Sequence, residues 1–169
     1  MTGAAALLLL VTLSRLAELA LSARNTAALK ARGAVEASPG HYPLIVALHA
    51  GWLAALWAFG ARSDLVWGWA ALFLGVQGAR LWVLATLGRR WTTRILVLPG
   101  EPLVRTGPYR YLSHPNYAVV AAEIAILPLA LGLVWVAVVF SALNAAVLAV
   151  RIAAENAALR GAAALAPRA

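Results

Sequence analysis

Cysteine is absent from the 169 residues, so no disulfide and no thiolate metal site is available, and the redox compartment stays open. Charge is scarce, at 12% of residues, whereas 63% are hydrophobic and mean hydropathy is +0.83. A soluble domain of this length could not bury so much apolar surface, so lipid must solvate much of the chain. Histidine is limited to His41, His49 and His114, too far apart in sequence to suggest a metal site. No internal repeat, low-complexity tract or long linker divides the chain, and one domain over 1–169 is expected. The first apolar run has no basic segment before it and carries Arg15 and Glu18 inside it. It reads as a membrane span and not as a cleaved signal peptide.

A helical span takes about 20 mostly apolar residues. Stretches 4–23, 41–60, 65–87, 117–131 and 132–151 qualify, the last two as a tight hairpin bent at Pro128 and Gly132. The expected fold is an all-α integral membrane protein of five transmembrane helices. The formal charge of +8 would suggest nucleic acid in a soluble protein, but its distribution points to lipid instead. Arg24, Lys30 and Arg32 follow the first span. Arg89, Arg90, Arg94, Arg105 and Arg110 follow the third, and Arg151, Arg160 and Arg168 lie at or beyond the end of the fifth. The opposite loops hold only Arg62, offset by Asp64. Eleven against one predicts the N-terminus outside and the C-terminus in the cytoplasm, as in a multi-pass protein of a bacterial inner membrane, with basic loops facing anionic lipid. The alanine-rich tail from 161 is expected to fray.

The longest loop on the basic side reads "GRRWTTRILVLPGEPLVRTGPYRYLSHP" over 88–115. Its "ILVLPGEPLV" suggests two short extended pieces around a Pro-Gly turn, and "TGPYRY" a second turn. Pro115 suits the first turn of the next helix. The loop would thus deliver Tyr109 and His114 to the mouth of the fourth span. On the fifth, Asn144, Arg151 and Glu155 fall within about 20° of one helix face. Two readings stand: an i,i+4 ion pair between Arg151 and Glu155 at a helix end, or a site assembled with the loop by the hairpin.

The other polar residues have plainer readings. Arg15, Glu18 and Ser22 form a stripe expected to hold a structural ion pair, since charge in hydrocarbon is costly unless paired. Glu123, on the face of Asn116, either lines a polar cavity or is protonated. His41 and Tyr42 before Pro43 suit an interfacial anchor, and His49 a packing role. The tryptophans suit interfacial belts and apolar faces. Arg89, Arg90 and Arg94 serve topology or bind phosphate or carboxylate.

"GPYRYLSHPNY" at 107–117, a closely spaced pair of spans and "RIAAENAAL" at 151–159 together resemble the isoprenylcysteine carboxyl methyltransferase family of integral-membrane enzymes. Its pattern is Gly-x-Tyr, His-Pro-x-Tyr, an apolar hairpin and Arg-x-x-x-Glu-Glu, matched over about 94–159. "HYPLIVALHA" and "RWTTRILVLPG" are similar to a small bacterial branch whose members accompany type III polyketide synthases and O-methylate alkylpyrones or alkylresorcinols. The resemblance implies S-adenosyl-L-methionine as methyl donor in a cytoplasmic pocket, leaving S-adenosyl-L-homocysteine. Donor contacts would fall on Glu101, Pro102, Leu103 and Val104, on Tyr109, on His114, Pro115, Asn116 and Tyr117, and on Glu155. Arg151 would bind the acceptor, with Asn144 on the same face, and Arg151 and Glu155 would carry catalysis. Two departures stand out: Asn156 replaces the second glutamate of the pair, and Ser113 stands where an arginine is frequent.

The chemistry agrees with that assignment. A glutamate suits the donor's ammonium, backbone N–H groups or a basic group its carboxylate, and tyrosines with loop apolar residues its adenine. In-line methyl transfer asks mainly for alignment and a dry site. Arg151 at the hydrocarbon edge suits an anionic acceptor oxygen on a lipid tail. That acceptor is an alkylpyrone or alkylresorcinol hydroxyl, or a prenylcysteine carboxylate. Two other classes remain: an NADPH-dependent membrane reductase of the sterol-reductase type, whose final helices are similar, and a non-enzymatic membrane scaffold. The reductase would need a longer basic nucleotide site than is evident, and the scaffold leaves the gathered tyrosines, His114, Arg151 and Glu155 unexplained.

Overall fold

The computed structural model describes residues 2–164, with the backbone alone at 41 and 161–164. Five helices carry the fold: α1 (Gly3–Ala31), α2 (Tyr42–Gly60), α3 (Trp67–Leu87), α4 (Pro115–Ala130) and α5 (Val134–Ala164). Short 3-10 turns lie at Gly88–Arg90 and Gly107–Arg110. This is an all-α membrane protein, as the hydropathy predicts.

Four helices, α1, α2, α3 and α5, are long and apolar enough to cross a membrane. The fourth expected span is a helix but a short one. With 16 residues, α4 rises about 24 Å, against about 30 Å for a bilayer's hydrocarbon core. Its end is set by local chemistry. Pro128 lies inside its last turn, Gly132 takes a φ of +72°, and the N–H groups of Leu131 and Leu133 both donate to the Pro128 carbonyl. A glycine in the left-handed region closes the orphan carbonyls of a helix end, and α5 starts two residues later. Helices α1 and α5, by contrast, run past the hydropathy limits of 23 and 151. Hydropathy marks only the part suited to lipid, while alanine, leucine and arginine keep a helix going beyond it. The backbone is helical to Ala164; residues 165–169, the rest of the tail expected to fray, lie outside the described residues.

Helix α4 packs between α3 and α5, α5 against α2, and α2 against α1. Leu8 and Val11 of α1, Trp52 and Leu56 of α2, Ile124 and Leu127 of α4 and Val136 of α5 share one buried cluster. Leu10, Leu13, Leu72, Leu74, Leu81 and Val138 are exposed instead, as suits side chains solvated by lipid. The circuit from α1 to α3 closes through charge. Arg15 pairs with Glu18 at 2.9 Å and with Glu123 at 3.3 Å. Arg80 donates to Glu18 and to Glu123, and Gln77 donates to Glu123 at 2.8 Å. The ion pair expected within α1 is present, and Glu123 is the partner of two guanidiniums and lines neither of the two cavities described below.

Among the described residues there is one strand pair, β1 (Val35–Glu36) against β2 (Leu96–Val97), antiparallel, with Val35 opposite Val97. It joins the loop after α1 to the loop after α3, and so brings the basic loops together at one end of the helices.

Removing one partner of a buried ion pair strands the other, at a cost of about 3–5 kcal/mol. Glu123→Ala is therefore expected to lower the thermal midpoint in detergent markedly, and Glu123→Gln, which keeps polar contacts, to lower it less. A Glu123→Ala protein as stable as the parent would show that the two arginines find other partners.

Candidate functional site

The loop of residues 88–114 is pinned to α1 by two polar residues that hydropathy does not single out. Asn25 is buried and donates to the carbonyls of Gly88, at 3.2 Å, and Trp91, at 2.8 Å. Ser22 accepts from the Thr93 N–H at 2.8 Å and shares a hydroxyl bond with Thr93 Oγ1. Ser22 thus serves the loop and not the ionic stripe. Further on, Gly107 has φ +55° and packs so closely on α3 that a Cβ there would lie 2.4 Å from Thr86 Oγ1. Only glycine fits that turn. It sends "PYRYLSHP" back toward α5.

Two cavities lie side by side at this end. The first holds about 550 Å³ and is bounded by the loop and the exits of α4 and α5. Glu101, Pro102, Leu103 and Val104 form one side of it, and Tyr109, His114, Asn116, Tyr117 and Glu155 another. Pro115 is buried at the start of α4 and does not line it. The second holds about 300 Å³ between α1, α2 and α5, and is far more apolar. Asn144 lies in its wall and not in that of the first, and His49, Arg15 and Arg80 line the same cavity. Trp91, Thr92, Asn116, Tyr117 and Arg151 line both cavities.

Arg151 sits in that common wall, 7% exposed. It does not pair directly with Glu155. The Tyr117 hydroxyl stands between them, accepting from Arg151 Nε at 2.8 Å and donating to Glu155 Oε2. Arg151 Nη2 donates to the Thr93 carbonyl at 2.7 Å, which leaves Nη1 with no partner among the described residues. Glu155 Oε1 is likewise left over. His114 stacks on Tyr117, with ring centroids 5.3 Å apart, and its Nδ1 lies 3.6 Å from Glu155 Oε2. Its Nε2 lies 3.2 Å from Asn156 Oδ1, so the residue that replaces the second glutamate anchors the histidine. Burial, and then the charge of Glu155, push the Tyr109 hydroxyl up to about 12, so it stays protonated at neutral pH. Asn116 Oδ1 and Trp91 Nε1 are buried with no partner among the described residues.

Glu101 faces different neighbours from those its sequence position suggests. Arg32 and Arg90 both bind its carboxylate, and Arg90 also donates to the Pro102 carbonyl at 2.9 Å. The hydrogen bonds from Arg90, followed by the charges of Arg90 and Arg32, hold its carboxyl below the usual range. Glu36 on β1 is held down in the same way, by hydrogen bonds from Lys30 and then Arg94. Sequence reasoning missed Trp91, Thr92 and Thr93 as wall residues. Their only signal is a polar "RWTT" directly after an apolar helix.

A family model described as the isoprenylcysteine carboxyl methyltransferase family matches residues 69–161. The "Uncharacterized protein YpbQ" of Bacillus subtilis (strain 168) is 40% identical over 159 residues, covering 91% of this chain and 95% of its own length. No solved structure matches the chain.

The Arg32–Glu101–Arg90 cluster closes one rim of the larger cavity, and its pH dependence has a definite sign. A carboxyl whose folded value is lowered keeps its ion pairs above its ordinary value of 4.5 and loses them as pH falls through the lowered value. Amide hydrogen exchange around 98–104, corrected for intrinsic rate, should stay slow from neutral pH down to about 4.5 and speed up only below it. Glu101→Gln should exchange faster at neutral pH. Equal exchange in the variant and the parent would show that other contacts hold the rim.

Proposed function

The chain belongs to the isoprenylcysteine carboxyl methyltransferase family, and from that premise we propose that it is an S-adenosylmethionine-dependent O-methyltransferase acting on a lipophilic acceptor. The observation that carries this is the common wall. A cavity of mixed polar and apolar lining at the basic end and a more apolar one between helices meet at Tyr117 and Arg151, which suits a water-soluble donor and a lipid-borne acceptor.

The larger cavity fits the donor's chemistry. Glu155 Oε1 is free to take an ammonium, and the buried, unpartnered Asn116 Oδ1 is an acceptor for a further N–H group. Tyr109, Leu103 and Val104 offer apolar surface to a purine. His114 and Tyr117 hold Glu155 in place. Arg90 lines the same cavity but would have to exchange a bond to Glu101 or Pro102 to take the donor's carboxylate. Bound there, the donor supplies a methyl group activated on a sulfonium. Arg151, fixed by Tyr117 and Thr93, keeps Nη1 to hold the acceptor oxygen as an anion, while the tail lies among the apolar residues of the second cavity. A donor entering from the cytoplasm and an N-terminus outside follow from the positive-inside count. Alkylpyrone or alkylresorcinol hydroxyls, products of a type III polyketide synthase, and prenylcysteine carboxylates all fit an acidic oxygen on a lipid tail.

Calorimetry with S-adenosylhomocysteine, together with turnover, tests the two roles separately. Glu155→Gln should weaken binding by roughly 1.5–3 kcal/mol, the range for a hydrogen bond to a charged group. Arg151→Lys keeps the charge but loses the fork, so turnover should fall about tenfold or more with donor affinity little changed. Undiminished binding in Glu155→Gln would place the donor elsewhere, and a near-parental rate in Arg151→Gln would remove Arg151 from the mechanism.

A further inference from the structure

His49 of α2 lies in the wall of the second cavity, where the clasp around Arg151 does not use it. Its Nδ1 is 2.9 Å from the Ile45 carbonyl oxygen. A carbonyl only accepts, so Nδ1 carries the hydrogen, and the neutral ring presents Nε2 as a bare lone pair. Among the described residues Nε2 has no partner. Asn144 of α5 lines the same cavity, is 2% exposed, and its amide makes no hydrogen bond among the described residues. Buried amides are normally paired, so these two side chains together point to a ligand's polar group between α2 and α5. The charged groups around the His49 ring are Arg15 of α1, Arg80 of α3 and Arg151 of α5. Glu18 of α1 shares the cavity wall, and Glu123 of α4 is tied to Arg15 and Arg80. Those two guanidiniums already hold carboxylates; Arg151 holds none directly.

We infer that His49 is the general base that deprotonates a hydroxyl acceptor. The inference rests on the methyltransferase reading and narrows it: the acceptor presents an O–H still protonated at neutral pH, since a carboxylate is already ionised and needs no base. Nε2 takes the hydroxyl proton, and the oxygen forms its bond to the methyl carbon. The carbon–sulfur bond breaks with its electron pair going to sulfur, so the sulfonium becomes a thioether. Arg151 Nη1 steadies the oxyanion, Asn144 orients the head group, and the imidazolium proton passes to water as the products leave.

The test uses the purified full chain with three probes: pentadecylresorcinol, a ring-fluorinated and more acidic analogue of it, and farnesylated N-acetylcysteine. His49→Gln and His49→Ala should lower turnover on pentadecylresorcinol about a hundredfold or more near neutral pH, within the range for a lost general base. The deficit should shrink as rising pH ionises the acceptor, and should be smaller for the fluorinated analogue. Affinity for S-adenosylhomocysteine should be unchanged in both variants. An equal deficit on both resorcinols at every pH would overturn the proposal in favour of a packing role. Parent protein that methylates only farnesylated N-acetylcysteine would overturn the base and leave the methyltransferase reading standing. Parent protein that fails to bind S-adenosylhomocysteine would sink that reading itself.

Discussion

Charge inside hydrocarbon must be partnered, and that constraint shapes this chain more than any apolar contact. Lipid tails are as apolar as leucine, so burial alone gives little reason for one helix to choose another. Arg15, Glu18, Arg80 and Glu123 supply the reason, because each has a partner on another helix. Together they bind α1, α3 and α4 in one arrangement. The position of α4 then sets the depth of Asn116 and Tyr117 at its first turn, and with it the wall between the two cavities.

The same constraint is applied incompletely at that wall. Arg151 is as buried as Arg80, yet its neighbours are a tyrosine hydroxyl and a backbone carbonyl in place of carboxylates. Among the described residues one of its nitrogens stays unpaired, as do Glu155 Oε1 on one side and Asn144 with His49 Nε2 on the other. Polar groups left short of partners in a dry site are what a ligand is expected to complete. In the bundle Arg15, Glu18, Arg80 and Glu123 each meet an opposite charge, although Arg15 Nε keeps no hydrogen bond among the described residues. At the bundle's end Arg151 meets none directly, and that contrast separates the structural charges from the functional ones.

Much of the fold is legible in the sequence, because hydropathy and the Pro128–Gly132 break act locally. The helix ends are less so: propensity carries α1 and α5 beyond lipid, and α4 is cut short. The β1–β2 pair was not legible, since Val35 and Val97 meet only after the helices have packed. In the site, the spacing of Asn144, Arg151 and Glu155 correctly put them on one face. Spacing alone favoured a direct Arg151–Glu155 pair as much as a site, and it could not anticipate a tyrosine hydroxyl from another helix between them. Asn156 read as a lost carboxylate because sequence shows which atoms are missing, not that an amide oxygen suffices to hold His114. His49 looked like packing for a similar reason. Its chemistry depends on a tautomer set by Ile45 and on an empty-handed Asn144 on another helix.

The central claim is that a soluble donor and a lipid acceptor meet across the Tyr117–Arg151 wall. The most direct measurement incubates the purified chain with methyl-labelled S-adenosylmethionine and a lipid extract, then identifies labelled products by mass spectrometry. The account predicts label in the organic phase, on a lipophilic product that carries it as an O-methyl group. Label that stays in the donor whatever lipid is present, or that moves to a water-soluble acceptor without any lipid, would contradict it.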